Sequence, residues 1–92
     1  MQSKNKRAMT VAERVHVGRV KMLCCSVCDA HGPSDAHHIE QNLHFCVVSL
    51  CRSCHNGLHG DKSVWKVMKM DELKALNVTI GRLVNGNKEY DR

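Results

Sequence analysis

Aromatic side chains are nearly absent from this sequence. One Trp, one Tyr and one Phe make up only 3% of its 92 residues, so the large rings that usually anchor a small core are missing. A mass of 10.4 kDa leaves room for one small domain, and a chain of this size rarely becomes stable through hydrophobic burial alone. We therefore expect a metal or disulfide framework to hold the fold together.

Long apolar segments are absent as well. No run approaches the roughly 18 apolar residues of a membrane-spanning helix, and the N-terminal sequence MQSKNKRAMT leads into no apolar segment of a signal peptide. We expect a cytoplasmic protein that does not contact membranes. In a reducing cytosol, paired cysteines are more often metal ligands than disulfides.

Acidic side chains are scarce at the N-terminal end. Residues 1–21 hold six basic side chains and a single acidic one, Glu13, whereas residues 22–92 hold eight of each sign. The whole formal charge of +5 therefore lies in the N-terminal arm and the first predicted helix. A polyanion such as DNA would be attracted to this end, although a solvated helix face with Arg14 and Lys21 accounts equally well for the pattern.

The chain divides into a tail, one domain and a short end. Residues 1–9 are polar and basic and predict a mobile tail, residues 10–84 a single domain, and residues 85–92 a frayed C-terminus. Thr10 and Glu13 form a capping-box pattern that predicts a helix over 11–23. The predicted apolar positions of this helix are Val11, Val15, Gly18 and Met22.

Short elements are predicted between the two ends of the domain. Residues 24–35 have turn chemistry, residues 36–40 and 45–50 predict the strands of a hairpin, and residues from about 52 predict a short helix ended by Gly60. Asp71 can cap a last helix, which we expect to cover the metal-rich centre. The predicted buried stripe of that helix consists of Leu73, Leu76, Ile80 and Val84.

Six cysteines and seven histidines are the most informative excess in the composition. Cys25 and Cys28 form one Cys-x2-Cys pair, and Cys51 and Cys54 form another after 22 intervening residues. Each pair can bind one side of a tetrahedral ion, so together the pairs predict a structural zinc site. A redox dithiol of this spacing is expected within a strand–helix–strand unit, and this sequence does not predict such a unit. Bound zinc would supply folding free energy.

The histidines form a second candidate site. His37 and His38 are adjacent on a predicted strand, so their side chains point to opposite faces, while His55 and His59 share one face of the predicted helix. One member of the strand pair can therefore join the helical pair at a second metal. This arrangement suits hydrolysis, because a metal can stabilise developing charge and a neutral imidazole can take a proton from water.

Four further cysteines and histidines receive simpler interpretations. A local shift of register would let Cys24 replace Cys25 as the first zinc ligand, so that choice stays open. Cys46 lies in an apolar predicted strand and is interpreted as a small buried hydrophobic residue. His16 and His31 are interpreted as ordinary surface or cap residues.

Together these strings resemble an HNH endonuclease, the ββα-metal family, in its zinc-clamped form. The likeness covers about residues 25–60, on the strings CSVC, SDAHHI and LCRSCHNGLHG, and it extends to small phage-encoded HNH proteins that include the recombination-enhancement nucleases. The resemblance implies a small α+β fold. In it, a ββα-metal finger over about 35–60 is clamped by the four-cysteine zinc site and flanked by N- and C-terminal helices.

The resemblance also implies a role for each histidine. His38 would be the general base that activates water, and His37, His55 and His59 would bind a catalytic divalent ion, for which related nucleases use magnesium, manganese, nickel or zinc. In-line attack on the scissile phosphodiester would leave a 5′-phosphate and a 3′-hydroxyl. The expected function is a DNA endonuclease that nicks or cuts with little sequence preference of its own.

One position departs from the family pattern. The middle Asn, which orients the base in the family, would stand five residues before Cys51, where this chain has Cys46. Asn42 or His44 can take over this role from the loop, and Asn56 on the helix is a less favoured candidate.

Two other functions are compatible with the same sequence. A catalytically silent zinc module would keep the thiolate site and the basic arm and bind DNA or a protein partner. An assembly factor acting beside phage recombination or packaging machinery rests on the family likeness alone. Cleavage of DNA distinguishes the endonuclease from both.

Overall fold

The structure, a computed structural model, describes residues 8–86 of the chain. Within this range the elements follow one another as α1 (Val11–Lys21), β1 (Asp35–His38), β2 (Val47–Leu50), α2 (Arg52–Leu58), α3 (Ser63–Val67) and α4 (Glu72–Asn85). The predicted small α+β class is therefore confirmed. Most of the predicted tail over 1–9 and of the predicted frayed end over 85–92 lies outside the described residues. No helix in the described part is long and apolar enough to cross a membrane.

The two strands form an antiparallel hairpin that places the adjacent histidines on opposite faces. His37 pairs with Val48, and His38 pairs with Val47. Directly opposed residues share a face, so each histidine lies on the side of its own valine. All four residues of β2 are buried, including the polar Ser49, so both faces of this strand are covered by the rest of the protein. Both strands are shorter than the predicted 36–40 and 45–50.

Residues of β2 enter two hydrophobic clusters. The hairpin is thus held between two small cores in a molecule too small to build one large core. The first cluster surrounds two of the paired cysteines: Cys25, Val27, Val48, Leu50, Cys54, Trp65 and Ala75. The second cluster joins α1, β2 and the end of α4: Val17, Val20, Leu23, Val47 and Leu83.

Helix α1 begins as predicted but buries a different face. Thr10 and Glu13 form the expected capping box, in which the Glu13 carboxylate accepts a hydrogen bond of 2.7 Å from the Thr10 backbone N–H. Valines occur on several sides of this helix, so periodicity alone does not indicate which side meets the second cluster. The buried residues are Val17 and Val20. The predicted apolar positions are instead exposed: Val11, Val15, Gly18 and Met22.

Helix α4 also turns a different face inward than predicted. It begins at the predicted cap, Asp71, and ends at Gly86, whose φ of 70° is the left-handed conformation that glycine adopts readily. The first part of its inward face is built on the small residues Ala75 and Thr79, and Oγ1 of Thr79 accepts a hydrogen bond from the backbone N–H of Ser49 in β2 at 3.3 Å. The buried residues are Ala75, Thr79 and Leu83. The predicted stripe is half-buried at Leu76 and Ile80 and exposed at Leu73 and Val84.

Three buried hydroxyl groups join the cysteine loop, β2 and α4. Oγ of Ser26 lies 2.7 Å from Oγ of Ser49 and 2.7 Å from Oγ1 of Thr79. Thr79 donates to the carbonyl of Ala75 at 2.9 Å, and Ser49 donates to the carbonyl of Cys24 at 3.0 Å. Because every hydroxyl has partners, burial leaves none of them unsatisfied. The network fixes α4 against the loop that carries the first cysteine pair.

Helix α3 is an element that the sequence analysis does not predict. It carries Trp65, which is 3% exposed, and the indole N–H donates to the carbonyl of Cys54 at 2.9 Å. The single tryptophan therefore packs over the start of α2, beside the paired cysteines.

Replacing Leu50 with alanine is expected to destabilise the metal-loaded protein by about 2–5 kcal/mol. Leu50 is fully buried in the first cluster, so the shorter side chain loses buried apolar contacts and leaves a cavity. Leu73→Ala removes the same atoms from a side chain that is 75% exposed and should change the free energy of unfolding by less than about 0.5 kcal/mol. Urea unfolding compares the two variants, and equal losses would contradict the described core.

Candidate metal centres

Four cysteine side chains converge where the loop after α1 meets the first turn of α2. The Sγ atoms of Cys25, Cys28, Cys51 and Cys54 all lie within 4.8 Å of one another, and those of Cys28 and Cys51 are 3.7 Å apart. A tetrahedral zinc ion with Zn–S bonds of about 2.3 Å has S···S edges of about 3.8 Å. The cluster can therefore hold a structural metal such as zinc.

Local backbone structure turns these sulfur atoms toward one another. The backbone N–H of Val27 donates to Sγ of Cys25 at 3.4 Å, and that of Cys54 donates to Sγ of Cys51 at 3.4 Å. Cys51 is the N-cap residue of α2, and its side chain receives this bond as a serine cap would. The three-residue spacing of a helix cap thus also sets the spacing of the second cysteine pair.

Burial and crowding make four thiolates costly without a cation. Burial, together with the charge of the Cys25 thiolate, raises the pKa of Cys54 far above the usual range of a thiol, and burial raises the pKa of Cys28. Burial opposes ionisation of Cys25 as well, but backbone hydrogen bonds from Cys28, Cys51 and Val27 outweigh it and lower the pKa of Cys25. A divalent cation would offset the repulsion and favour the thiolates, so the chemistry of this donor set fits a metal.

The two remaining cysteines lie outside the cluster. Cys25 joins it and Cys24 does not, although Cys24 is buried at 5% exposure. Cys46 is half-buried and stands just before β2. The expectation of a buried strand residue at Cys46 is therefore wrong, because β2 begins only at Val47.

A second cluster is formed by three histidines from β1 and α2. One ring nitrogen from each of His37, His55 and His59 lies within 4.8 Å of the others. The ring centroids of His37 lie 5.0 Å from His55 and 5.8 Å from His59. His37 is only 9% exposed, whereas His59 is exposed. The cluster therefore has a closed side at the sheet and an open side toward solvent.

Helix α2 contributes to both clusters. Cys54 and His55 are consecutive, and His59 follows one turn later as the C-cap residue. Because the cysteine cluster includes the N-cap of α2, it also sets the direction in which both histidines leave the helix. His37 meets His55 and His59 from β1, the first strand of the hairpin.

Two of these rings also contact a carboxylate. Oδ2 of Asp35 lies 3.0 Å from Nδ1 of His55, and Oε2 of Glu72 lies 2.7 Å from Nε2 of His37. Asp35 also contacts Nε of Arg52 at 3.4 Å. Neither carboxylate is predicted from the sequence. Asp35 stands two residues before His37 on one strand, which is a signal for a shared face, whereas Glu72 has no local signal because α4 brings it from a distant part of the chain.

His38 pairs with His44 rather than with the other strand histidine. Nε2 of His38 lies 3.0 Å from Nδ1 of His44. Of the alternative partners considered from the sequence, neither Asn42 nor Asn56 makes a hydrogen bond to His38 within residues 8–86. Burial, with the charges of His44 and His37, lowers the pKa of His38, so the neutral ring is favoured at neutral pH.

His16 is not the ordinary surface residue that the sequence analysis expects. Its half-buried ring lies 5.2 Å from the ring of Phe45, and its Nε2 is buried without a hydrogen-bond partner in the part of the chain that is described. Burial lowers the pKa of His16. The contact fastens α1 to the loop that carries His44. His31, by contrast, is exposed as expected.

Comparison with known proteins assigns no family to this chain: no protein-family model, no curated protein and no solved structure matches it. Its function is therefore inferred from the chemistry of the two clusters.

Proposed function

We propose that the protein is a metal-dependent DNA endonuclease of the HNH type. The observation that carries the proposal is the convergence of His37, His55 and His59, with His38 next to His37 in the chain and held by His44. Metal-assisted hydrolysis of a phosphodiester can use a divalent ion and a general base, which the three imidazoles and the neutral ring of His38 would supply.

The order of the elements supports the same proposal. β1, β2 and α2 follow one another as strand, strand and helix, which is the order of a ββα-metal finger. The first strand carries His37 and His38, and the helix carries His55 and His59. One cysteine pair lies before this unit, and the other lies at the junction of β2 and α2. A zinc ion bound by both pairs would clamp the hairpin at its two ends.

The three histidines fit a divalent ion. Their nitrogens are close enough to share one ion, and an all-imidazole set favours nickel or zinc over magnesium. The exposed side at His59 leaves room for water and a phosphate oxygen. A bound ion would stabilise the negative charge that develops on the phosphate and on the leaving 3′-oxygen.

His38 is the general base of the proposed reaction. Its Nε2 is engaged by His44, so Nδ1 is the nitrogen that takes a proton from water. The oxygen of that water attacks phosphorus in line, and the bond from phosphorus to the 3′-oxygen breaks. The products carry a 5′-phosphate and, after proton uptake from solvent, a 3′-hydroxyl, while the proton from water resides on His38.

His44 takes the place of the middle Asn of the family pattern. A hydrogen-bond partner on one ring nitrogen sets the tautomer of a histidine and the orientation of its ring. The bond of 3.0 Å between Nε2 of His38 and Nδ1 of His44 supplies such a partner. In the required tautomer, Nε2 of His38 donates and Nδ1 of His44 accepts.

Exposed basic side chains favour DNA as the substrate. Arg52, with a side chain 76% exposed, lies beside Asp35 at the edge of the histidine cluster, and Arg14 and Lys21 are exposed on α1. Such cations contact backbone phosphates without reading sequence. The scarcity of aromatic rings disfavours the base stacking used by single-strand binders. The expected substrate is therefore duplex DNA, which the protein would cut with little sequence preference.

A plasmid-cleavage assay with added metal tests this proposal. The zinc-loaded wild-type protein is expected to convert supercoiled plasmid to nicked or linear forms with Mg²⁺, Mn²⁺ or Ni²⁺, leaving ends that DNA ligase can rejoin. His59→Ala removes a ligand from the exposed side of the cluster. Loss of a group that hydrogen-bonds to a metal ligand usually lowers metal affinity or activity about 10- to 100-fold. Loss of the ligand itself should cost at least as much, so the rate of cleavage should fall on the order of 10- to 100-fold or more.

The matched control for this assay is His31→Ala, which makes the same change at an exposed histidine of the loop before β1. This variant is expected to cut as the wild type does. A wild-type protein that is folded, retains zinc and binds DNA, yet cuts with none of the three ions, would overturn the proposal in favour of a catalytically silent zinc module.

A further inference from the structure

Glu72 connects the last helix to the histidine cluster. It lies in the first turn of α4, outside the strand–strand–helix unit, and its Oε2 is 2.7 Å from Nε2 of His37. The His37 side chain is 10% exposed and the Glu72 side chain 38% exposed. The contact therefore joins a buried imidazole to a carboxylate that is still reached by solvent.

We infer that Glu72 is a positioning residue for the histidine metal centre, an inference that rests on the proposed function. When Nε2–H of His37 donates to the carboxylate, the lone pair of this imidazole lies on Nδ1, which is then the nitrogen of His37 that can bind an ion. A carboxylate on the far side of a ligating imidazole fixes its tautomer and ring orientation and raises its basicity.

The same arrangement recurs at a second ligand of the cluster. Asp35 holds Nδ1 of His55 at 3.0 Å, which leaves Nε2 of His55 for the ion. Asp35 is shared with Arg52, whereas the ion pair that Glu72 makes within residues 8–86 is with His37. Two of the three histidines are therefore held by a carboxylate at one ring nitrogen, and the other nitrogen of each ring is available to bind an ion.

The location of Glu72 gives α4 a role in the site as well as in the core. Ala75 and Thr79 fix the helix against the first cluster and the hydroxyl network, and the carboxylate one turn earlier reaches His37. An ordered α4 thus makes the metal centre complete. The strand–strand–helix unit by itself would carry the three ligands but would not hold His37 in one tautomer.

Titration with Ni²⁺ tests the inference without relying on cleavage. Protein loaded with one equivalent of zinc, which fills the thiolate centre, is titrated calorimetrically as wild type and as four variants: Glu72→Ala, Glu72→Gln, Glu40→Gln and His59→Ala. Glu72→Ala is expected to weaken Ni²⁺ binding on the order of 10- to 100-fold. Glu72→Gln keeps an acceptor but loses the charge, so a smaller loss is expected. Glu40→Gln makes the same charge change at an exposed loop residue and should bind as the wild type does.

The outcomes separate this inference from the proposed function. If His59→Ala loses Ni²⁺ binding but Glu72→Ala binds Ni²⁺ with wild-type affinity, the proposed role of Glu72 is wrong and the histidine metal centre is still supported. Equal binding by wild type and His59→Ala shows that Ni²⁺ does not use the histidines, which contradicts the centre itself and the inference with it.

The tautomer of His37 is a second readout. If Glu72 only stabilised the fold, its replacement would not change this tautomer. Long-range ¹H–¹⁵N spectra of the zinc-loaded protein are expected to show the Nε2–H form of His37 in the wild type and a shift toward the Nδ1–H form in Glu72→Ala. A tautomer that is the same in both proteins overturns the inference.

Discussion

Removal of metal from the four-cysteine centre is expected to unfold the domain. Cys25 and Cys54 are 0% and 2% exposed and belong to the first hydrophobic cluster, so the centre and the core are one structure. Structural zinc supplies an apparent folding free energy of about 10–16 kcal/mol in zinc-finger peptides, while small domains are stable by only about 5–15 kcal/mol. Few aromatic side chains are present to compensate.

Circular dichroism during chelation measures this effect. A strong zinc chelator should abolish the helical signal and the cooperative thermal transition, and added zinc should restore both. Cys54→Ser should have the same effect without a chelator, whereas Cys46→Ser, at a half-buried cysteine outside the cluster, should fold normally. A chelated protein that still melts cooperatively would show that the core is stable on its own.

His38→Ala is expected to lower the rate of DNA cleavage by about 10²–10⁴-fold, the usual contribution of a positioned general base. The ring is half-buried, and the hydrogen bond it makes is to His44, so its removal should leave the zinc centre and the fold intact. Binding of Ni²⁺ should also persist, because His38 is not part of the three-histidine cluster.

Single-turnover cleavage of plasmid measures the effect of His38→Ala. The control is His31→Ala, which should cut at the wild-type rate. His44→Ala should lose less than His38→Ala, because it removes the partner of the base and not the base itself. A His38→Ala protein that is folded and cuts at the wild-type rate would show that the base assignment is wrong.

Local motifs were the part of the structure that could be predicted from the sequence. The two Cys-x2-Cys pairs and the two histidines one turn apart depend on spacing within a few residues, and backbone geometry converts such spacing directly into side-chain direction. The split between His37 and His38 follows in the same way from the alternation of a strand. The four-cysteine cluster is therefore confirmed, while the roles of the histidines stay predictions.

The buried faces of the helices could not be predicted in this way. Helix α1 has valines on several sides, and only packing against β2 selects Val17 and Val20 over Val11 and Val15. In α4 the large apolar residues from Leu73 to Val84 suggested one inward face, but the helix buries the face of Ala75, Thr79 and Leu83. Hydrophobicity alone does not measure how closely a helix can pack.

Long-range polar contacts are the other part that local sequence does not encode. Glu72 contacts His37 only because α4 packs back onto the sheet. Helices α2 and α3 separate α4 from the sheet along the chain. The choice of His44 over Asn42 as partner of His38 depends on the path of the connecting loop. Asn42 lies there at a φ of 74°, a conformation that asparagine tolerates better than most residues.

The central claim is that one small fold carries two chemically distinct metal centres, one of sulfur and one of nitrogen. Crystals grown with zinc and nickel, with anomalous data collected at both absorption edges, test it most directly. We predict two separate ions in each chain, one zinc bound by Cys25, Cys28, Cys51 and Cys54, and one nickel bound by His37, His55 and His59. A single ion at the cysteines, with the three imidazoles free of metal at saturating nickel, would contradict the account.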